Sequence, residues 1–216
     1  MKRILVILIL SRSVYSVQAQ DIVVLKHTNY TAHFSKSLRY PVMVEWWETK
    51  VNCGCSDPIP RVDNFQPDPK AKKETALLTD YFRSGLDRGH MCPARVNRCQ
   101  GTKILDECFY FSNMTPQYHA LNAGDWEELE ATTYNIAREK DSVHIWAGSL
   151  GVAKKIGTTS VPRKCWKVVY VKKTKELKAY VFINNLSPEN GIKDNEVSID
   201  VITKLTGFKY WNNIEK

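Results

Sequence analysis

Beyond its first ten residues the chain has no apolar run of the roughly 20 residues needed to cross a bilayer. It has no internal repeat, no low-complexity tract and no linker between two folded segments, which excludes solenoid, collagen-like and extensively disordered classes. Zinc-finger spacing is also missing. Cys53-Gly54-Cys55 is tighter than the usual gap of about two to four residues, and no closely spaced His pair follows. Acid is the scarcer charge, with 23 Asp and Glu against 31 Lys and Arg, a net +8. A basic balance favours a polyanion through counterion release, although a mild excess also occurs on proteins with no such partner. What remains is 216 residues, 43% hydrophobic and 25% charged, the composition of one soluble globular domain with a real core.

The first residues read as a leader. Met1-Lys2-Arg3 is a positive start, residues 4–10 are unbroken apolar, and Val17-Gln18-Ala19 offers the small residues that a signal peptidase reads. Ser11-Arg12-Ser13 interrupts the run, which argues against an anchoring helix. The expectation is a signal peptide over residues 1–19, cleaved after Ala19, and a single domain over 20–216, secreted or periplasmic and free of the membrane once mature. Cleavage removes Lys2, Arg3 and Arg12 and no acid, which leaves a charge of +5. All six cysteines (Cys53, Cys55, Cys92, Cys99, Cys108 and Cys165) survive it. An even count in an exported chain predicts structural disulfides, with the pairing left open.

Residues 21–50 are strand-like, most clearly from Pro41 to Thr49, where Trp46 and Trp47 must face opposite ways and at least one belongs to the core. Pro58, Pro60, Pro67 and Pro69 make residues 51–73 a loop, and a short helix is expected over 74–82. Residues 95–106 read as a polar surface excursion and 107–112 as a strand. The spacing of Trp126, Leu129, Thr133, Tyr134 and Ala137 predicts one helix from Asn122 to Lys140. Strands follow over 142–148, 165–173 and 177–184, the last two as a hairpin. A helix over 199–205 has Ser198 at its start and Gly207 just past its end.

Two stretches carry chemistry: Leu86-Asp87-Arg88-Gly89-His90-Met91-Cys92-Pro93-Ala94, and Ser112-Asn113-Met114-Thr115-Pro116-Gln117 followed by Asn122, Trp126 and Glu130. Asp-Arg-Gly-His alone is weak; the compound pattern is specific. It resembles the DNA/RNA non-specific endonuclease family, and the likeness continues through residues 161–169 and Thr206-Gly207-Phe208, covering roughly residues 38–210. The resemblance implies an α+β fold, a central antiparallel sheet flanked by helices with a ββα-metal (His-Me finger) motif. It implies a sugar-non-specific endonuclease that hydrolyses DNA and RNA with one Mg2+, Mn2+ being able to substitute. The ends left would be 5′-phosphate and 3′-hydroxyl. It requires no protein partner and leaves a homodimer open.

Phosphodiester hydrolysis needs an activated water, charge neutralisation at the phosphoryl oxygens and help for the leaving oxygen. His90 suits the general base, its reference pKa lying near neutrality. Arg88 offers a bidentate phosphate clamp, and Gly89 is expected to give a backbone conformation closed to other residues. The resemblance makes Asn122 the direct metal ligand and Glu130 the holder of a metal-bound water; on one continuous helix the two would lie about 12 Å apart. It places Asn113 and Gln117 where the site and substrate backbone are ordered. Asn29-Tyr30-Thr31 and Asn113-Met114-Thr115 are formal glycosylation sequons, but a glycan at Asn113 would block the cleft. Arg61 is a minor substrate-binding candidate, His119 a surface or supporting residue, Glu127 and Glu128 solvated helix positions, and Asp87 has no chemistry assigned. The family commonly carries an Arg where this chain has Tyr134, and Arg138, one turn on, is the candidate substitute for binding substrate. Lys164, Lys167 and Lys172 could extend a phosphate track. A sequence-specific nuclease would need a recognition module for which the chain has no length. A catalytically weak or inactive nucleic-acid-binding protein on the same fold has only Tyr134 in its favour, against His90, Asn122 and Glu130.

Overall fold

The computed structural model describes residues 21–71, 74–139, 141–187 and 191–214; the expected signal peptide lies outside them. Three strands open the chain, β1 (Ile22–Lys26), β2 (Tyr30–Ser35) and β3 (Tyr40–Glu48), followed by the short helices α1 (Lys50–Cys53) and α2 (Leu78–Tyr81). Strand β4 (Asp87–His90), helix α3 (Thr102–Glu107), strand β5 (Met114–Gln117) and helices α4 (His119–Asn122) and α5 (Asp125–Glu139) make up the middle. Strands β6 (Val143–Leu150), β7 (Lys154–Ile156), β8 (Thr159–Val161), β9 (Lys164–Val171), β10 (Glu176–Ile183) and β11 (Glu196–Val197) precede helix α6 (Ile199–Thr206). No helix among the described residues is long and apolar enough to cross a membrane.

Seven strands form one sheet in the order β1-β2-β3-β6-β9-β10-β11, antiparallel at each junction. The β-branched and aromatic runs of β3, β6 and β9 occupy its centre, where both faces are covered. Alternation divides their side chains between two cores. Val44, Trp46, Ile145, Ala147 and Val169 join Trp126, Leu129 and Ala137 of α5 on one side. Met43, Trp146, Trp166 and Val168 meet Ile202 of α6 and Trp211 on the other. Trp46 is buried, while Trp47 is exposed and stacks on His144 with ring centroids 4.3 Å apart.

The finger stands beside this sheet. Strands β4 and β5 pair antiparallel, so that His90 faces Met114 and Gly89 faces Thr115. A Cβ on Gly89 would lie 1.7 Å from Gln117 Oε1. Close approach, not a left-handed backbone, is therefore what demands glycine here, which corrects the sequence expectation. The single helix expected from Asn122 is two: α4 ends at Asn122 and α5 starts at Asp125, with Gly124 in the break. A side chain on Gly124 would meet Ala120 O at 2.3 Å. Residues 107–112 are not a strand but the end of α3 and a turn, and the supposed surface excursion contains α3 with Leu105 buried.

The cysteines meet the expectation of disulfides only in part. Cys55 and Cys99 form a disulfide, whereas Cys53, Cys92, Cys108 and Cys165 are free and buried. The buried thiols act as small apolar side chains, three of them in the same core as Trp46 and Trp126. Thiol titration under denaturing, non-reducing conditions should therefore count four thiols per chain. A count of none would mean that the buried cysteines are paired in a different fold.

Candidate active site

His90 ends β4 with its ring against Phe65 and Phe109, at centroid distances of 5.8 and 5.0 Å, the two phenyl rings being 5.1 Å from each other. Its carbonyl accepts a 3.1 Å hydrogen bond from Trp126 Nε1, which ties the strand to α5. The residue as a whole is half-buried, but Nε2 is shut away and has no hydrogen-bond partner. Burial, and then the positive charges of Arg61 and Arg88, push its pKa down to about 3, with Asp63 opposing. The imidazole is accordingly neutral at ordinary pH, with a lone pair to offer. Arg88 lies with its guanidinium 4.3 Å over the Phe65 ring, its Nε likewise buried and unpartnered.

A cavity of about 250 Å³ opens in front of these two residues, and Asn122 and Glu130 line it too. The helix break explains how both reach it: each sits on its own helix, so the 12 Å separation along one axis does not apply. Asn122 donates through Nδ2 to Asp87 Oδ2 at 2.9 Å, and His119 Nδ1 lies 2.8 Å from the same oxygen. With the amide nitrogen engaged, Oδ1 is the atom left to bind a ligand. Asp87 thus orients Asn122, a role that sequence reasoning did not give it; the signal was its place at the head of the motif.

Glu130 points back toward the core. Its Oε1 is buried without a hydrogen bond and lies 3.5 Å from Lys167 Nζ. Lys167 is wholly buried, its ammonium 3.9 Å over the Trp126 ring, so it cannot belong to a phosphate track. Burial raises the Glu130 pKa, with Lys167 and Arg95 opposing, and burial lowers that of Lys167. The nearby Glu48, buried and bonded to Trp46 Nε1 at 3.1 Å, is pushed up to about 7 by burial.

Among the described residues no group of three His, Cys, Asp or Glu could hold a metal ion. The oxygens of Asn122 and Glu130 nevertheless fit a hard, largely hydrated divalent cation, which keeps several waters and takes few protein ligands.

The cavity is strongly cationic. Arg61, Arg88, Arg95 and Arg98 line it, against Glu127 and Glu130. Arg61 pairs with Asp63 at 2.6 Å, and Arg98 Nε donates to Ile59 O at 2.6 Å. Arg95 rests 5.5 Å over the Tyr134 ring, with Glu127 Oε1 3.8 Å from its nitrogen. Sequence reasoning missed Arg95 and Arg98. Arg95 stands in the 3-10 helix of residues 94–97 and Arg98 directly follows it.

Three expected substrate-binding residues are not in the cavity. Asn113 is fully buried: Nδ2 donates to Cys92 O and Cys108 O, and Oδ1 accepts from Cys92 N, so it knits the finger together. Gln117 is buried under Gly89 with Nε2 3.4 Å from Cys165 Sγ. Arg138 is exposed and does not line the cavity; Arg95 holds the place near Tyr134 instead.

A sequence model of the family described as DNA/RNA non-specific endonuclease matches residues 11–216. The mitochondrial nuclease EXOG of Xenopus laevis is 28% identical over 173 residues, 70% of this chain and 48% of that protein. The mitochondrial nuclease of Saccharomyces cerevisiae is 31% identical over 164 residues, 64% of this chain and 50% of its own length. The chain thus spans about half the length of these relatives. A crystal structure of an EndoG/EndoGI complex, concerned with the mechanism of EndoG inhibition, superposes with a TM-score of 0.78 at 26% identity, covering 88% of this chain and 86% of that one. That likeness bears out the α+β, ββα-metal expectation. The named mitochondrial nucleases overturn the expectation of a secreted or periplasmic protein.

Proposed function

The chain belongs to the DNA/RNA non-specific endonuclease family, and from that premise we propose that residues 20–216 work as one magnesium-dependent catalytic domain that cuts DNA and RNA internally. The observation that carries this reading is His90, neutral and lining one cavity together with four arginines, Asn122 and Glu130. His90 takes the proton of the attacking water on Nδ1, the ring nitrogen that is not shut away, and its carbonyl bond to Trp126 fixes the ring's mount. Arg88 clamps the scissile phosphate with its unpartnered guanidinium edge. The substrate's negative charge offsets Arg61 and Arg88, which raises the His90 pKa from its depressed value toward the working range. Asn122 Oδ1 would hold the metal, and Glu130 would hold a water of its shell. When bound, magnesium (or manganese in its place) would stabilise charge on the phosphoryl group and the departing 3′-oxygen. Attack on phosphorus with loss of that oxygen leaves 5′-phosphate and 3′-hydroxyl ends. Incubating plasmid and RNA with magnesium, with and without chelator, tests the reading, as does joining the products with a ligase that requires those ends. Cleavage that persists in chelator, or products that cannot be joined, would overturn it.

Arg95 belongs to the phosphate grip. Arg95→Ala should weaken DNA binding and flatten the slope of log affinity against log salt by about one. Tyr134→Ala, which removes its platform, should act in the same direction more weakly. An unchanged salt slope in Arg95→Ala would remove Arg95 from the grip.

A further inference from the structure

A second, larger cavity of about 650 Å³ adjoins the first and shares Arg61, Arg88 and Asn122 with it. Its far wall is the segment following α2, where Phe82 is 72% exposed and the Arg83 guanidinium lies 5.0 Å over its ring. Three features make this segment unusual.

The aromatic is displayed on a fixed mount. Asp80, just before it, accepts hydrogen bonds from Leu77 N, Thr158 N, Thr158 Oγ1 and Thr159 Oγ1, all at 2.9 Å. Tyr81 is buried and stacks on Phe111 at 5.8 Å. Ser84 Oγ donates to Tyr81 O at 2.8 Å and accepts from Leu86 N at 3.1 Å. A ring this exposed gives the fold little, yet the chain around it is pinned.

The backbone is strained at Arg83, whose φ is +53°. The other non-glycine residues with positive φ among those described, Arg39 and Lys175, sit in the tight turns β2–β3 and β9–β10, where a left-handed residue closes a hairpin. Arg83 is the third residue of a tight turn: Phe82 before it has φ −60° and ψ 123°, and Ser84 N donates to Tyr81 O at 3.1 Å. The turn that requires this conformation is the one that carries Phe82.

The chemistry is that of a stacking site. It has an open aromatic face, a guanidinium held over it, an apolar side wall at Phe65 and Leu78, and polar groups of Asp63 and Thr79 at the edge. Continuity with the cavity that grips phosphate through Arg88 dictates the occupant.

Resting on the reading of the first cavity as a phosphodiester site, we propose that the second cavity takes an unstacked nucleobase of the substrate strand beside the scissile phosphate, with Phe82 as its stacking platform. A base inside a duplex cannot enter without leaving its own stack. The protein therefore prefers single strands, or duplex opened locally, and tolerates any base because every base has a π-face.

Binding is measured first, by fluorescence anisotropy of a short single-stranded oligonucleotide in metal-free buffer, so that the result does not depend on cleavage. Phe82→Ala should weaken binding about 10–100-fold, the range expected from one base–aromatic stack, and Phe82→Trp should retain it. An abasic residue scanned along the oligonucleotide should cost the parent protein affinity at one position relative to the cut and cost Phe82→Ala almost nothing there. Binding of Phe82→Ala equal to the parent's, with the fold checked by circular dichroism, overturns the base site even if cleavage is normal. So does an abasic scan equally flat for both proteins. A parent protein that cuts nothing with magnesium yet shows the Phe82-dependent affinity overturns the nuclease reading and leaves the base site standing.

Discussion

His90→Ala is expected to lower turnover by about 10²–10⁴-fold, the usual contribution of a positioned general base. Nucleic-acid affinity measured without metal should stay near the parent's, because the four cavity arginines are untouched. Added imidazole should restore part of the lost rate, since deleting the ring leaves a space beside Phe65 and Phe109 that the small base can enter. A purely structural histidine would not be rescued in this way. The pH profile adds an independent signature. Burial and the two arginines hold the free-enzyme pKa near 3, against an ordinary 6.5. The acid limb of kcat/KM should therefore lie well below 6.5, while that of kcat, in which bound phosphate offsets the arginines, should lie higher. The sign for stability follows from the same shift. Above 6.5 neither folded nor unfolded chain binds a proton at His90. As pH falls from 6.5 toward 3 the unfolded chain does and the folded one does not, so stability declines through that window, and this part of the decline should be missing in His90→Ala. A folded His90→Ala protein with near-normal turnover would remove His90 from the mechanism.

The residues that the compound motif singled out, Arg88, His90, Asn122 and Glu130, do meet on one cavity. The reason is that strand pairing and short connections keep them close in the chain and in space. The sheet was legible for a similar reason: β3, β6 and β9 carry β-branched and aromatic runs that suit few other environments. What failed to read through was burial. Asn113, Gln117 and Lys167 are polar, and nothing in their spacing says that strand pairing and the core close over them. Arg95 read as the start of a polar surface loop because a 3-10 turn of four residues has too little periodicity to recognise. The break at Gly124 was hidden by an apolar pattern continuous enough for one helix. Cysteine count likewise does not say which thiols are packed as apolar side chains, and four of the six are free and buried.

Asn122→Ala is expected to abolish activity at any practicable magnesium concentration, whereas Glu130→Gln should bind magnesium about 10–100-fold more weakly and recover as magnesium is raised. The difference lies in what each change removes. Asn122 offers an amide oxygen whose nitrogen is already tied to Asp87, so alanine deletes the proposed ligand atom itself. Glutamine at 130 keeps a carbonyl oxygen and the side chain's shape but loses the charge that orders a metal-bound water. That loss also leaves Lys167, buried and 3.5 Å from Glu130 Oε1, facing Glu48 without its nearer counter-charge. Breaking a buried pair on one side can cost about 3–5 kcal/mol of stability, so weak activity in Glu130→Gln could come from a damaged fold. The double change Glu130→Gln with Lys167→Met separates the two effects: an apolar side chain in place of the stranded ammonium should restore thermal stability and leave the magnesium requirement high. Magnesium titrations of cleavage, alongside thermal melts, read both quantities on all three variants. If Glu130→Gln proves unrescuable while Asn122→Ala titrates like the parent, the two residues exchange roles. If the double variant recovers both stability and the parent's magnesium affinity, Glu130 serves the core and not the metal.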